Sequence, residues 1–537
     1  MRTTATSAAS RTGAVVRRRR GARRPLWLAT LALVLVPLAA CGGTMSTDGP
    51  RDTIRVAVAE EIGVLNPWDV LGQFHAMDLI YEPLVAYGDG GEIEPALAES
   101  WEVAPDGRSV TFALRQDVVF HDGTPFDAAA AKFNLEQWAG KEQFSWLGTA
   151  AVIEEVATPD QHTLVLELSK PYPPLLQELT LVRPVRFASP AAAPGGDFAE
   201  PVGTGPWVFE SSDETGGVFV RNDEYWGEKP ELDRVELKVL PDSQTRLAAL
   251  RAGEVDLIGG GYLSPVNAVE AKAIDGDSSL ELLSGEADTT MSLIFNPEGV
   301  AGDRAVREAL SLATDVESIN EVLYGGTENV AEGYFPPSVP HAGDRVERTY
   351  DRDAAAKVLD EAGWTMDGKR RTKDGKALEL ELLLVSDPVH GMMDARTTGQ
   401  ALQDELAKIG VTIELRVVDG AAYFEEQAAG KFDLTFATTY GAPYDPPNTA
   451  LSFLKTGVET PTWATPELDR LVDAAVAASE PADLDTAYGK VYAHLEEQVA
   501  FVPITSPPRY YAVRSEVKGF EVPPHEYRLD LTGVTVG

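Results

Sequence analysis

LELELLLV at Leu378–Val385, ALQDELAKIG at Ala401–Gly410 and VTIELRVV at Val411–Val418 read, in that order, as strand, helix and strand. Two extended apolar runs flank a stretch of helix formers, and a chain that leaves a strand through a helix and returns builds α/β layers. Working outward, MSLIF at Met291–Phe295 is followed by the helical AVREALSLATDVESINEVLY, Ala305–Tyr324. Further back, the extended PELDRVELKVL at Pro230–Leu240 precedes LAALRAGEVDLI, where Ser243 is the expected cap of a helix ending near Gly253 and VDLI resumes a strand. These units predict a mixed α/β body with largely parallel strands.

Residues 54–120 alternate short apolar runs with turns, starting within TIRVAVA at Thr53. Pro105–Ser109, PDGRS, places turn formers between two runs of strand period and predicts a hairpin. AAAAKFNLEQW then reads as helix, with Phe126 nearby to pack it, and IEEVATPDQHTLVLEL repeats strand, turn and strand. Heptads, low-complexity tracts and internal repeats are not evident.

The first 40 residues hold eight arginines and no acid, six of them just ahead of LWLATLALVLVPLAA. A basic flank before a short apolar run is a secretory signal, and the run falls short of the roughly 20 apolar residues that span a bilayer. It ends in Leu38-Ala39-Ala40-Cys41, and Cys41 is the chain's single cysteine. The stretch resembles the bacterial lipoprotein cleavage motif, so Cys41 is expected to be the lipidated first residue of a protein held on the outer face of the plasma membrane. A polar tether, 41–53, would follow.

Loss of those eight arginines takes the formal net charge from −38 to −46. Nucleic-acid binding works by neutralising phosphates with Lys and Arg, so this balance opposes it. The 497 residues that remain exceed one ordinary domain and call for at least two cores.

The seven histidines, at 75, 121, 162, 341, 390, 494 and 525, form no closely spaced metal motif. GxGxxG, GxxxxGK, CxxC and GxSxG are all missing, so nothing in the pattern argues for catalysis. Two regions carry distinctive chemistry instead. In LVRPVRF, Leu181–Phe187, Arg183 and Arg186 interrupt an apolar run. Either one offers a fork to an anionic ligand or both make structural ion pairs; if the segment is extended, three-residue spacing sends them to opposite faces. In ATTYGAPYDP, Ala437–Pro446, Tyr440 and Tyr444 sit on a loop shaped by glycine and proline, either as binding groups or as a packed turn. Trp146 is a pocket wall or a core aromatic on the same footing.

A series of phrases then places the chain. LNPWD at Leu65, IYEPLV at Ile80, ALAESWEVAPDGRSVTFALRQDVVFHDGTPFDA from Ala96, PVGTGPWVF from Pro201, RNDEYWGEKP from Arg221, LRAGEVDL from Leu250, VREALSLATD from Val306 and ALQDELAKIGV from Ala401 occur in order across almost all of residues 54–520. Together they resemble the extracellular solute-binding proteins, family 5, of the dipeptide, oligopeptide and nickel ABC importers. LVRPVRF, Tyr225–Pro230 and YGAPYDP bring it nearest to the nickel-binding branch.

The resemblance implies a two-lobed, type II periplasmic-binding-protein-like α/β fold with a discontinuous first lobe. Its expected divisions are 54–294 as first lobe with an inserted subdomain around 100–200, 295–500 as second lobe, and 501–537 returning to the first. It implies a monomer, not an enzyme, without a resident cofactor, that captures a small polar solute by closure and delivers it to a permease and ATPase complex. The solute would be a nickel or other metal chelate with carboxylate groups, gripped by Arg183, with Trp146 and Tyr444 as pocket residues; Arg186 is a second candidate. Three departures stand out. Tyr440 replaces a tryptophan, Phe74 stands where a methionine lines the nickel pocket, and Leu451–Trp463 lacks the histidine that ligates metal directly. No histidine is therefore assigned to metal. The alternative is an oligopeptide or dipeptide receptor. Peptide-binding relatives carry an aspartate for the peptide's ammonium where this chain has Ala442, leaving Asp445 as the nearest carboxylate. An extracellular hydrolase and a purely structural lipoprotein are readings of other classes, the first lacking a recognisable nucleophile and the second leaving the motif series unexplained.

Overall fold

The computed structural model describes residues 51–69, 72–326, 329–343, 349–386, 395–458 and 462–537. The expected signal segment, Cys41 and nearly all of the tether lie outside the described residues.

Two mixed sheets dominate. The seven-stranded sheet runs in the order Leu280–Gly285, Arg509–Arg514, Leu257–Gly259, Thr53–Val58, Arg234–Val239, Gly216–Arg221, Trp207–Asp213. The six-stranded sheet runs Asn329–Val330, Phe501–Ser506, Met291–Phe295, Leu434–Thr438, Glu379–Val385, Thr412–Val418. Glu379–Val385 and Thr412–Val418 are parallel and joined through the helix Ala395–Ala407, as their sequence demands. Yet the expectation of largely parallel strands fails. Thr53–Val58 is parallel to its two neighbours and Glu379–Val385 to its two, while the other pairs in both sheets are antiparallel. Hairpins and long returns supply those strands, and a parallel pair forms only where a crossover intervenes.

The chain passes between the sheets twice, at 286–290 and at Pro507-Pro508. Met291–Phe295 and Phe501–Ser506 therefore both belong to the six-stranded sheet. The expected boundaries at 294/295 and 500/501 fall within or beside these two strands. Ladder pairing joins the two.

Local signals explain the element ends. Asp242, not Ser243, caps the helix Ser243–Ala252 by accepting from the Thr245 amide, and Gly253 closes it at φ 71°. The long helical run after Arg304 is two helices, Arg304–Ala313 and Val316–Tyr324, because Asp315 caps the second through the Ser318 amide. The predicted hairpin pairs Ala98–Val103 with Ser109–Leu114 in a separate four-stranded sheet completed by Thr163–Leu168 and Ile153–Asp160. Against it packs Ala128–Leu135, capped by Asp127, and Phe126 lies edge-on to Phe120 and Phe187 at 5.9 and 5.5 Å. Asp256 ties down the first strand. Fully buried, it accepts from the Arg55 amide and guanidinium and from Arg51, at 2.8–3.0 Å. Such satisfaction is what a buried carboxylate requires.

Candidate functional site

A cleft of about 1310 Å³ is lined by the N-terminal part of the chain and the C-terminal tail on one side and by the loop and helices after Leu434–Thr438 on the other. From the first side come Phe74, Trp146, Tyr172, Arg183, Tyr262 and Tyr527; from the second come Tyr440, Tyr444, Leu451 and Lys455. Five of the six predicted ligand-contact residues, Arg183, Tyr444, Trp146, Tyr440 and Phe74, thus share one cavity.

The inner end is aromatic. Phe74 begins the helix Phe74–Ile80, and its ring meets Tyr262 at 5.5 Å and Tyr527 at 4.9 Å, while Tyr262 and Tyr527 are 4.6 Å apart. Tyr444 adds an edge contact to Tyr527 at 5.0 Å. The Arg183 guanidinium lies 3.8 Å over the Phe74 ring and donates through Nη1 to the Gly72 carbonyl at 2.9 Å. Stacking holds the planar group while leaving donors along its edge for a ligand. Among the described residues Arg183 has no carboxylate at ion-pair distance. Burial pulls its proton affinity down, opposed by the surrounding tyrosine hydroxyls and by the Asp69 carboxylate, and a guanidinium in this setting keeps its charge. Burial likewise pushes the Tyr444 hydroxyl up to about 12, so it stays a neutral donor. The inner cleft is one cation set among neutral phenols and apolar faces.

Arg186 does not share this cavity. It is buried, pairs with Asp78 at 3.0 Å and contributes nothing to the cleft wall. The segment 181–187 is neither strand nor helix, so its bends send Arg183 outward and Arg186 inward.

The second wall depends on Gly441. At φ 80°, a Cβ there would stand 3.0 Å from Thr289 Cγ2 and 3.3 Å from Glu526 Oε1, so the loop can press against the crossover segment and tail only as glycine. Tyr527 donates to the Tyr440 carbonyl at 2.7 Å, fastening tail to loop. Asp445 is fully buried and turned inward. It accepts from the Gly441 amide at 2.7 Å and from the Thr449 hydroxyl, and burial lifts its carboxyl to about 8. It is not part of the cleft wall.

No histidine lines the cleft among the described residues. His75 is buried, with its ring nitrogens on the Gln73 amide and the Glu526 carbonyl. Among the described residues no group of three or more His, Cys, Asp or Glu could hold a metal ion. The segment that lacks the expected histidine does face the cavity, through Leu451, Ser452, Lys455, Thr456, Gly457 and Val458, and brings an ammonium that pairs with Asp473. Tyr172, Tyr262 and Tyr527 escaped the sequence reading. Each is an isolated tyrosine with no periodic or motif signal, and only long-range folding brings them together.

Two mixed sheets, two crossover segments and a cleft walled from both sides define a bilobed solute receptor of the type II periplasmic-binding-protein fold. The comparisons agree. The model of the bacterial extracellular solute-binding proteins, family 5 Middle, matches residues 92–460. The nickel-binding periplasmic protein of Escherichia coli (strain K12) is 32% identical over 495 residues, covering 89% of this chain and 93% of that one. A crystal structure of an ABC transporter substrate-binding protein from Sinorhizobium meliloti aligns with a TM-score of 0.77 at 37% identity, covering 90% of this chain and all of that one. NikA from Brucella suis, crystallised with Fe(III)-EDTA, aligns with a TM-score of 0.84 at 31% identity over the same shares. The chain belongs to family 5 of the bacterial extracellular solute-binding proteins. It is the extracytoplasmic, non-catalytic component of an ABC importer, capturing a small polar solute, and proteins of this family work with a cognate permease and ATPase.

Proposed function

We propose that the solute is a small metal chelate bearing carboxylate groups, with nickel the leading metal, held mainly through its chelator. One observation carries this reading: Arg183 stacks on Phe74 in a cleft whose inner end is otherwise neutral and aromatic. A guanidinium fixed in plane matches a carboxylate with two parallel hydrogen bonds, and the Tyr444 phenol can donate to a further oxygen. The aromatic faces pack the chelator's carbon skeleton, and Trp146, 37% exposed, stands at the cleft's edge to cover it on closure. Metal would be cargo. The relatives that bind nickel and Fe(III)-EDTA support the same class.

The two lobes of this reading carry the two large sheets, with closure about 286–290 and Pro507-Pro508. The chain acts as a monomer tethered to the membrane through lipidated Cys41. A peptide ligand fits less well. Ala442 supplies no charge for its ammonium, and Asp445 is committed to Gly441 and Thr449.

Native mass spectrometry of protein isolated from its own growth medium, with elemental analysis of the released ligand, tests the proposal. Stoichiometric metal with a small carboxylate compound is expected. A peptide ladder without metal overturns it in favour of peptide uptake.

A further inference from the structure

The wall residues above are held by a second set of groups that belong to no cleft surface. The short helix Leu175–Glu178 lies behind the first wall and reaches across to the second. Gln177 Nε2 donates to the Pro443 carbonyl at 2.7 Å and to the Asp445 carbonyl at 2.8 Å, so both amide protons grip the backbone on either side of Tyr444. Its neighbour Glu178 is fully buried and pairs with no cation among the described residues. Glu178 Oε1 accepts from the Tyr172 hydroxyl at 2.7 Å and from Asn448 Nδ2 at 3.0 Å, and Oε2 accepts from the Thr149 amide at 2.7 Å.

Those donors come from three wall segments. Thr149 sits three residues after Trp146, Tyr172 lines the cleft itself, and Asn448 lies in the first turn of the helix that follows the Tyr444 loop. A buried carboxylate without a counter-charge is costly unless every lone-pair direction is served. The arrangement is therefore close to all-or-none: separation of the walls removes Asn448 and both Gln177 acceptors together and lets water reach Glu178. Since every bond runs from protein to protein, it acts whatever solute fills the cleft.

We propose that Gln177, Glu178 and Asn448 form a latch that sets the closed population of this receptor, with Glu178 the positioning residue for the Trp146, Tyr172 and Tyr444 walls. The inference rests on the two-lobe closure reading but not on the identity of the solute. A typical hydrogen bond contributes modestly after exchange with water, so loss of the two from Gln177 shifts the closed-to-open ratio by roughly ten- to thirtyfold. Loss of the bond from Asn448, which leaves a lone pair of buried Glu178 unserved, shifts it by about tenfold or more.

Small-angle X-ray scattering of the full-length mature protein, with no solute added, reads the closed population directly. Gln177→Ala is half-exposed and keeps the buried carboxylate served, so folding is retained, as a thermal melt would check. Asn448→Ala removes the second strut. Thr180→Val is the control, since the Thr180 hydroxyl donates at 2.7 Å to the Gln177 carbonyl inside the same side of the cleft. The expected result is a larger radius of gyration for Q177A and N448A, with T180V superimposing on the wild type. A Q177A profile that superimposes on the wild type, or a T180V profile that opens equally, overturns the latch. Failure of the chelate reading would show as metal-free native protein and would leave the scattering result intact, so the two failures are distinguishable.

Discussion

Arg183→Ala tests the chemistry of the cleft most directly. In the folded protein the guanidinium spends one donor on the Gly72 carbonyl at 2.9 Å and its face on Phe74 at 3.8 Å, leaving an edge for the ligand. A charge-assisted hydrogen bond contributes about 1.5–3 kcal/mol, so two to one carboxylate amount to roughly 3–6 kcal/mol, or about 10²- to 10⁴-fold in Kd. Arg183→Lys keeps the charge but loses the fork and most of the stacking, and should fall between, at a loss of about tenfold. Isothermal titration calorimetry with Fe(III)-EDTA as probe, at low and high salt, measures both effects. The wild type should weaken with salt and the alanine variant much less, because the screened charge is gone. A thermal melt should show a stability loss of only about 1 kcal/mol from the missing intraprotein contacts. Probe affinity within threefold of wild type for Arg183→Ala, in a folded variant, would refute the assigned role.

His75 should produce an acid-side loss of stability. Its Nε2 faces the Glu526 carbonyl and must donate, while its Nδ1 faces the Gln73 amide, whose oxygen caps the following helix through the Ala76 amide. Burial lowers the pKa from 6.5 to about 4, against the opposing pull of the Glu526 carbonyl, and a proton on Nδ1 would also face the Gln73 amide donor. Because the folded value lies below the unfolded one, this contribution is complete above about pH 6.5 and is lost as pH falls towards 4, up to about 3 kcal/mol. A His75 ring resonance titrating near 6.5 in the native protein would contradict it. Gly148→Ala should destabilise by about 2–3 kcal/mol and weaken solute binding. A methyl there would overlap the Tyr172 ring and push its hydroxyl off Glu178, and an unchanged melting temperature would rule that out.

The sequence by itself determined the building blocks of this protein. Alternation and helix-former runs located Met291–Phe295, Glu379–Val385 and Thr412–Val418, and marked the second half of the helix Ala395–Ala407 while running on to Gly410, because period and capping are properties of neighbouring residues. The ordered phrase series carried the family, and with it Arg183, Trp146, Phe74, Tyr440 and Tyr444 as a group. Tertiary structure decided what local pattern cannot encode. It placed Phe501–Ser506 in the six-stranded sheet, because strand pairing joins Met291–Phe295 to residues some two hundred positions later. It separated Arg183 from Arg186, because the irregular segment 181–187 has no period from which side-chain direction could be read. It turned Asp445 away from the cleft, brought Tyr262 and Tyr527 to its wall and set Gln177 and Asn448 behind it. Those contacts join residues tens to hundreds of positions apart, and their geometry exists only once both lobes have packed.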